Sequence, residues 1–453
     1  MKYNVFILLL FFSVQTFAQK LITLEEAVKI ALQNNSTLMK SINNLATSKK
    51  QVKNAYGNLL PNFGIQGSWS WNRISDDGGK QLDFLGNPKD IPPSQIDTRN
   101  WSLSAGGNVV LFDGLSNLSN INQAENSLES SKLMLEKLRQ DVVLQTSELF
   151  YNVLNAKAQV SVREENLKYN QKLLETIQER NKLGSVAIAD VYSQQVQLGN
   201  AELLLIQAQN LYDQAKNQFL NYLALDILDE FEFVDPYENI NEIDTKKFEE
   251  DFYELGNMIG DALNSRPDYK SQKLTLKNSI EEKTIAKSGY YPRLSGNYSF
   301  STNAVKSGDL FSRRNYNFGL TLSIPIFSNW STELSTEFAE VQYQNTKVDM
   351  SALERQIKIE VKQGYLDFIA GEKRLEVSKK NVVAAEENRK INYERYSLGS
   401  GTILNVLQAD RDYTQALTER INAKFEFFKQ RDNLLNALGK LSYANFEYNL
   451  QEN

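Results

Sequence analysis

The chain is 453 residues long, carries 50 Lys and Arg against 56 Asp and Glu, and contains neither His nor Cys. Those two zeros exclude a disulfide framework, Cys- or His-ligated zinc or haem, and Ser–His or Cys–His nucleophilic catalysis. The net charge of −6 argues against a phosphate-backbone binder, so no nucleic-acid partner is expected.

The first residues, 1–18, have the layout of a cleaved export signal: Lys2, an apolar run from Val5 to Phe12, and an exit at Thr16-Phe17-Ala18. The run is far short of the roughly 20 residues a spanning helix needs. No Cys follows Ala18, and no later stretch offers 18 consecutive apolar residues. If the mature chain enters a membrane, it must do so through strands.

Thr23 and Glu26 form a capping box, and Leu24, Ala27, Val28, Ala31 and Leu32 make one apolar stripe. One helix is expected from there, ending before Pro61, because the residue preceding proline avoids the helical region. The period then drops to two. Phe63, Ile65, Gly67, Trp69 and Trp71 alternate with Asn62, Gly64, Gln66, Ser68 and Ser70. Arg73 to Asn100, with its Gly, Pro and Asp, reads as a loop. Beyond it Trp101, Leu103, Ala105, Val109 and Leu111 alternate with Ser102, Ser104, Gly106 and Asn108.

No proline interrupts Leu115 to Leu183. As a helix this stretch would reach roughly 100 Å at 1.5 Å per residue. Ile121, Leu128, Leu135, Val142, Leu149 and Ala156 recur every seven residues, followed by Val153, Val160, Leu167 and Leu174, which argues for coiled-coil packing. The chain turns at Leu183-Gly184-Ser185, and Ile188 to Tyr222 runs back. Ala224 to Asp251, with eleven acids against two Lys, reads as an irregular surface connector.

The pattern then repeats. Ala31-Leu32 and Pro61 recur as Ala262-Leu263 and Pro292, at an offset of 231. Glu179-Arg180, Leu183-Gly184-Ser185, Ile188 and Val191 recur as Glu394-Arg395, Leu398-Gly399-Ser400, Ile403 and Val406, at an offset of 215. Between them Leu294, Tyr298 and Phe300 alternate with Ser295, Asn297, Ser299 and Ser301. Tyr316, Phe318, Leu320, Leu322, Ile324 and Ile326 alternate with Asn317, Gly319, Thr321 and Ser323. The chain thus divides into a signal (1–18), a first repeat (19–223), a connector (224–251), a second repeat (252–440) and a tail (441–453).

Each repeat reads as helix, β-hairpin, long helix, Gly turn and return helix. Strands of about ten residues, apolar on one face and small-polar on the other, have the pattern of a transmembrane β-barrel. Trp69, Trp71, Trp101, Phe300, Phe318 and Trp330 are expected to face lipid or its interface. Four strands cannot close a barrel, and open edges in hydrocarbon cost several kcal/mol per unpaired backbone group. Three copies around one axis would supply twelve strands.

This ordered set resembles the outer membrane efflux protein family, the TolC-like trimeric channels. The resemblance rests on Thr23-Leu24-Glu25-Glu26-Ala27, the Pro61 and Pro292 strand entries, Leu111-Phe112-Asp113-Gly114, the paired Leu-Gly-Ser turns and the duplication. It implies an α+β membrane protein, mostly α. Long coiled-coil helices would form a periplasmic α-barrel, and four strands per chain would enter a trimeric, twelve-stranded barrel in the outer membrane. It further implies a passive conduit, not an enzyme, that needs no cofactor. A periplasmic adaptor would join it to an inner-membrane RND or ABC pump, for efflux or type I secretion. The adaptor would touch Leu183, Gly184, Ser185, Leu398, Gly399 and Ser400. The pore would narrow at Asp190, Tyr396, Asn405 and Gln408. In the second repeat amides stand where the family has acids, and Gly401 stands where it has an Arg, so one ring of carboxylates and a loosely latched gate are expected. An exported coiled-coil scaffold or adhesin without a pore is the alternative; it would be a soluble monomer.

Overall fold

The computed structural model describes residues 20–235 and 254–441. The expected signal, most of the acidic connector and all but the first residue of the tail lie outside the described residues.

Helices of 11, 22, 67 and 35 residues follow one another twice. The first series is α1 (Leu24–Asn34), α2 (Ser36–Gly57), α3 (Ser116–Lys182) and α4 (Ile188–Tyr222). The second is α5 (Leu255–Ser265), α6 (Pro267–Ser288), α7 (Ser331–Ser397) and α8 (Ile403–Ala437). Every boundary of the first series recurs in the second at an offset of 231 or 215. The fold is internally duplicated, as its sequence suggested.

The capping box at Thr23 is formed, and it opens α1. The single helix expected up to Pro61 is nevertheless two. At Asn35 the side-chain oxygen accepts from the backbone N–H groups of Thr37 and Leu38, both at 3.0 Å, and starts α2 afresh. In the second series Arg266 is held extended by Pro267, which suits the first position of α6 because it has no N–H to leave unpaired.

Two compact units share the chain, and each draws on both halves. One comprises 44–132 and 271–351, the other the remaining described residues. The first holds the main sheet. Its strands β2 (Gly64–Asp76), β5 (Ser94–Phe112), β7 (Arg293–Ala304) and β8 (Arg314–Ser323) pair antiparallel in the order β2-β5-β7-β8, which leaves β2 and β8 as edges. Cross-strand partners share a face. One face carries Trp69 opposite Trp101, Ile65 opposite Ala105, Tyr298 opposite Phe318 and Phe300 opposite Tyr316. The other carries Ser68 opposite Ser102 and Ser299 opposite Asn317, with the two serine hydroxyls 2.7 Å apart.

The segment expected as a loop between Arg73 and Asn100 is largely strand. β2 and β5 run on past Trp71 and Trp101, clasped by a two-pronged Arg73–Asp97 pair at 2.7 and 2.9 Å. A small hairpin, β3 (Gly79–Leu82) and β4 (Pro88–Ile91), caps them. The Gly and Pro residues that suggested a loop sit at the bends: Gly78 and Gly79 have φ of 75° and 149°, and Pro92-Pro93 separates β4 from β5.

In the other unit β1 (Lys20–Ile22) pairs in parallel with β6 (Phe231–Phe233). The start of the connector is therefore not an irregular surface segment. Phe231 and Phe233 are buried, and the Phe233 ring meets Phe150 edge-on at 6.2 Å. Around them Phe150 packs on Phe219, Tyr151 on Phe428, and Phe368 on Phe427, with centroids 5.9, 5.8 and 5.4 Å apart. Rings at these separations add roughly 0.5–1.5 kcal/mol per pair beyond their burial.

The duplication exposes one local mismatch. α8 ends on Gly439 with φ 67°, whereas its counterpart after α4 is Ala224 with φ 55°. A side chain in the left-handed region costs about 1–2 kcal/mol. Part of that gain returns through the freer unfolded glycine. Ala224→Gly is expected to raise stability by about 0.5–1 kcal/mol, read as a higher melting temperature in detergent.

Candidate gate and docking turns

Both Leu-Gly-Ser turns are helix terminators of one design. Gly184 and Gly399 have φ of 74°. The Gly184 N–H donates to the Asn181 carbonyl at 2.9 Å and the Ser185 N–H to that of Arg180 at 2.8 Å. Gly399 and Ser400 donate to Tyr396 and Arg395 at 3.1 and 2.9 Å. This double closure satisfies the orphan carbonyls at the ends of α3 and α7 and requires a left-handed residue, hence glycine. It also pushes the preceding leucines outward: Leu183 is 81 % and Leu398 82 % exposed. Each turn thus presents one large apolar side chain to solvent.

Next to the turns, the structure joins two of the expected gate residues. Tyr396 is buried in a cluster with Leu173, Ile177, Val191, Ile403, Val406 and Leu407. Its hydroxyl donates to Asp190 Oδ2 at 3.4 Å. Burial, then the charge and hydrogen bond of Asp190, push the phenol up to about 12, with Arg180 working the other way. Asp190 lies in the first turn of α4, where a carboxylate also faces the positive end of the helix.

Arg180 was not anticipated as a gate residue. Its guanidinium donates to the Ser397 carbonyl at 2.7 Å and to that of Tyr396 at 3.5 Å, and lies 5.9 Å from the centre of the Tyr396 ring. It thus ties α3 to the end of α7, where an arginine suits the carbonyl-rich terminus.

The remaining two candidates stand apart. Asn405 is exposed, and its backbone N–H is capped by Thr402 Oγ1 at 3.4 Å. Gln408 is exposed and engaged with Asp412 at 2.7 Å and Arg411 at 2.6 Å. Neither joins the Asp190–Tyr396 contact.

A buried polar knot close by had no place among the expected residues. Asp410 Oδ2 accepts from Asn166 at 2.9 Å and Asn170 at 3.2 Å, and Oδ1 from Arg389 at 3.4 Å. Gln194 adds α4 by donating to the Asn170 side chain at 2.9 Å. Burial raises the Asp410 carboxyl; the hydrogen bonds and Arg389 oppose it. Arg389 sits between the rings of Tyr413 and Tyr169, at 3.9 and 4.8 Å. A charge at a buried heptad position, three residues after Leu407 and four before Thr414, was the signal available.

Among the described residues no cluster of acids has the arrangement of a metal site, and no helix is long and apolar enough to cross a membrane. The sheet carries the aromatic residues expected at lipid. Trp69, Trp71 and Trp101 lie on β2 and β5, Phe300 and Phe318 on β7 and β8. Trp330 instead lies beyond β8 at the entry to α7, with φ 58° and its ring edge-on to Phe327 at 5.1 Å.

The sequence matches the family model described as "Outer membrane efflux protein" over residues 11–224 and 258–440. It is 22 % identical over 438 residues to outer membrane protein TolC of Vibrio cholerae, covering 92 % of this chain and 91 % of that one. It is 20 % identical over 423 residues to TolC of Escherichia coli, covering 90 % and 80 %. Among solved structures, the fold is similar to the outer membrane protein VceC of Vibrio cholerae (TM-score 0.77, 17 % identity, 92 % and 96 % covered). It is also similar to the open state of the MtrE outer membrane channel of Neisseria gonorrhoeae (TM-score 0.74, 18 % identity, 93 % and 90 % covered). With a matched model over most of its length, this chain belongs to the outer membrane efflux protein family and to the outer membrane.

Proposed function

We propose that three copies form one passive conduit, with a twelve-stranded barrel in the outer membrane and the long helices as a tunnel in the periplasm. The observation that carries this reading is the four-stranded sheet: one face is apolar, the other small and polar, and both edges, β2 and β8, are unpaired. An open edge is not tolerated in hydrocarbon. Strands β2 and β8 run in opposite directions, so β8 of one copy beside β2 of the next continues the antiparallel alternation head to tail. Such a contact closes as a ring.

In this reading the exposed Leu183 and Leu398 turns receive a periplasmic adaptor, through which an inner-membrane RND or ABC pump delivers cargo. The first repeat supplies residues 19–223 and the second 252–440. Tyr396, Asp190 and Arg180 latch the periplasmic end, while Asn405 and Gln408 line it without charge. The test is recording in planar bilayers with native mass measurement in detergent. Trimer mass with stepwise conductance supports the conduit; a monomer stable without detergent overturns it and favours a scaffold. In the same recordings Asp190→Asn is expected to lower cation preference several-fold, because three carboxylates vanish from the constriction. Unchanged selectivity would remove Asp190 from the pore.

A further inference from the structure

The apolar face of the main sheet changes chemistry abruptly at one end. From Ile65 to Trp71 on β2, Val109 to Trp101 on β5, Leu294 to Ala304 on β7 and Leu322 to Tyr316 on β8, that face holds no charged residue. Three of the four strands then place an arginine at the next position of the same face: Arg73 beyond Trp71, Arg99 beyond Trp101 and Arg314 beyond Tyr316. All three are exposed. They lie at the end of the sheet where its hairpins turn, opposite the end where α2, α3, α6 and α7 join it. A lipid-facing charge is costly at mid-membrane and nearly neutral at the interface, so these arginines mark where hydrocarbon stops.

Their charge is only partly compensated. Asp97, on the same face, is engaged by Arg73 at 2.7 and 2.9 Å, and the Arg73 guanidinium lies 5.1 Å from the centre of the Trp71 ring. Arg99 and Arg314 make no ion pair among the described residues. Arg314 spends only its Nε–H, on the Phe311 carbonyl at 3.0 Å, which leaves both terminal amino groups. Arg99 stands opposite Trp71 in the ladder, and is therefore the diagonal neighbour of Arg73 on one face, about 7–8 Å away.

We propose that Arg73, Arg99 and Arg314 hold phosphate groups of lipid in the leaflet that faces the exterior. Guanidinium forks match phosphate oxygens two at a time, which a lysine rim could not do. The occupant is a lipid because the anion is wanted directly above a face that itself needs hydrocarbon, and a phosphate tethered to acyl chains supplies both. Asp97 does not repel it freely, since that carboxylate is committed to fixing the fork of Arg73 over Trp71. Such a collar sets how high the wall rides in the membrane. The inference rests on reading this sheet as part of a barrel wall with its apolar face outward.

The test incubates the purified channel in detergent with lipid A carrying its phosphates, or with the same lipid dephosphorylated, and reads bound lipid by native mass spectrometry. The trimer is expected to retain the phosphorylated lipid roughly tenfold more strongly, as paired charge-assisted hydrogen bonds imply, and to keep it in millimolar inorganic phosphate. Arg99→Gln with Arg314→Gln is expected to abolish that preference. Arg73 is left in place because its clasp on Asp97 also joins β2 to β5. Arg99→Lys with Arg314→Lys keeps the charge without the fork; it is expected to fall between, and decides the matter should the glutamine pair misfold. Equal retention of the two lipids by unmodified trimers, or no loss in either variant pair, overturns the collar and leaves the conduit standing. Release by inorganic phosphate would make this a site for soluble anions and overturns the lipid. Absence of trimers in the unmodified chain overturns the barrel wall, and the collar with it.

Discussion

Replacing Arg266 by alanine is expected to destabilise the folded chain by about 3 kcal/mol, the lower end of what removing one partner of a buried ion pair costs. Arg266 occupies the break between α5 and α6 and is only 6 % exposed. Its guanidinium donates to Asp268 at 2.6 and 3.1 Å, to Glu360 of α7 at 2.6 Å, and to the Ala437 carbonyl at the end of α8 at 3.2 Å. Burial works against its charge, and the two carboxylates outweigh that and hold it firmly protonated. Truncation would leave Asp268 with no cation at that distance and the last carbonyl of α8 without its donor. The lower end of the range is chosen because the Glu360 side chain remains 38 % exposed and regains water. Thermal unfolding of the purified protein in detergent reads the effect. A loss under about 1 kcal/mol would show the three groups to be solvated rather than clamped.

The second large effect is functional. A bulky or charged residue at Gly184 or Gly399 is expected to abolish export while trimers persist. Each glycine has φ of 74°, and an added Cβ would meet nothing within 4 Å. The structural cost is therefore backbone strain alone, about 1–2 kcal/mol, small beside the 5–15 kcal/mol that typically holds a fold. What does change is the outward leucine turn to which the adaptor is proposed to bind. Export of a reporter cargo and native mass, measured side by side, separate the outcomes. Loss of trimers along with export would make the turns structural only.

Much of the fold was legible because its signals are local or periodic. The shift from period 3.6 to period 2 at Phe63 placed the first strand, and the two Leu-Gly-Ser turns placed the ends of α3 and α7. The break at Asn35 was not legible in the first half, where neither Gly nor Pro marks it. Its counterpart, Arg266-Pro267, carries the proline that would have revealed it. β6 was missed because acids surround Phe231 and Phe233, and their burial depends on partners as distant as Phe150. Family resemblance named Tyr396 and Asp190 each as a constriction residue, but their contact with each other is seen only in the structure. The grip of Arg180 on α7 did not, because it joins residues more than 200 positions apart. Asp410 was overlooked because an acid on a helix is ordinarily solvated, whereas here two asparagines and an arginine from other helices surround it.

The two bare margins of the sheet also constrain how the molecule can be made. A solitary copy has nowhere stable to go in hydrocarbon, since each half-finished wall would drag a row of naked amides into oil. In the three-copy ring proposed above, entry into the bilayer and closure of the circle would be one concerted event among copies that have already met in water. Its rate should climb steeply with the amount of chain exported, and a single defective copy would spoil the two sound ones it joins.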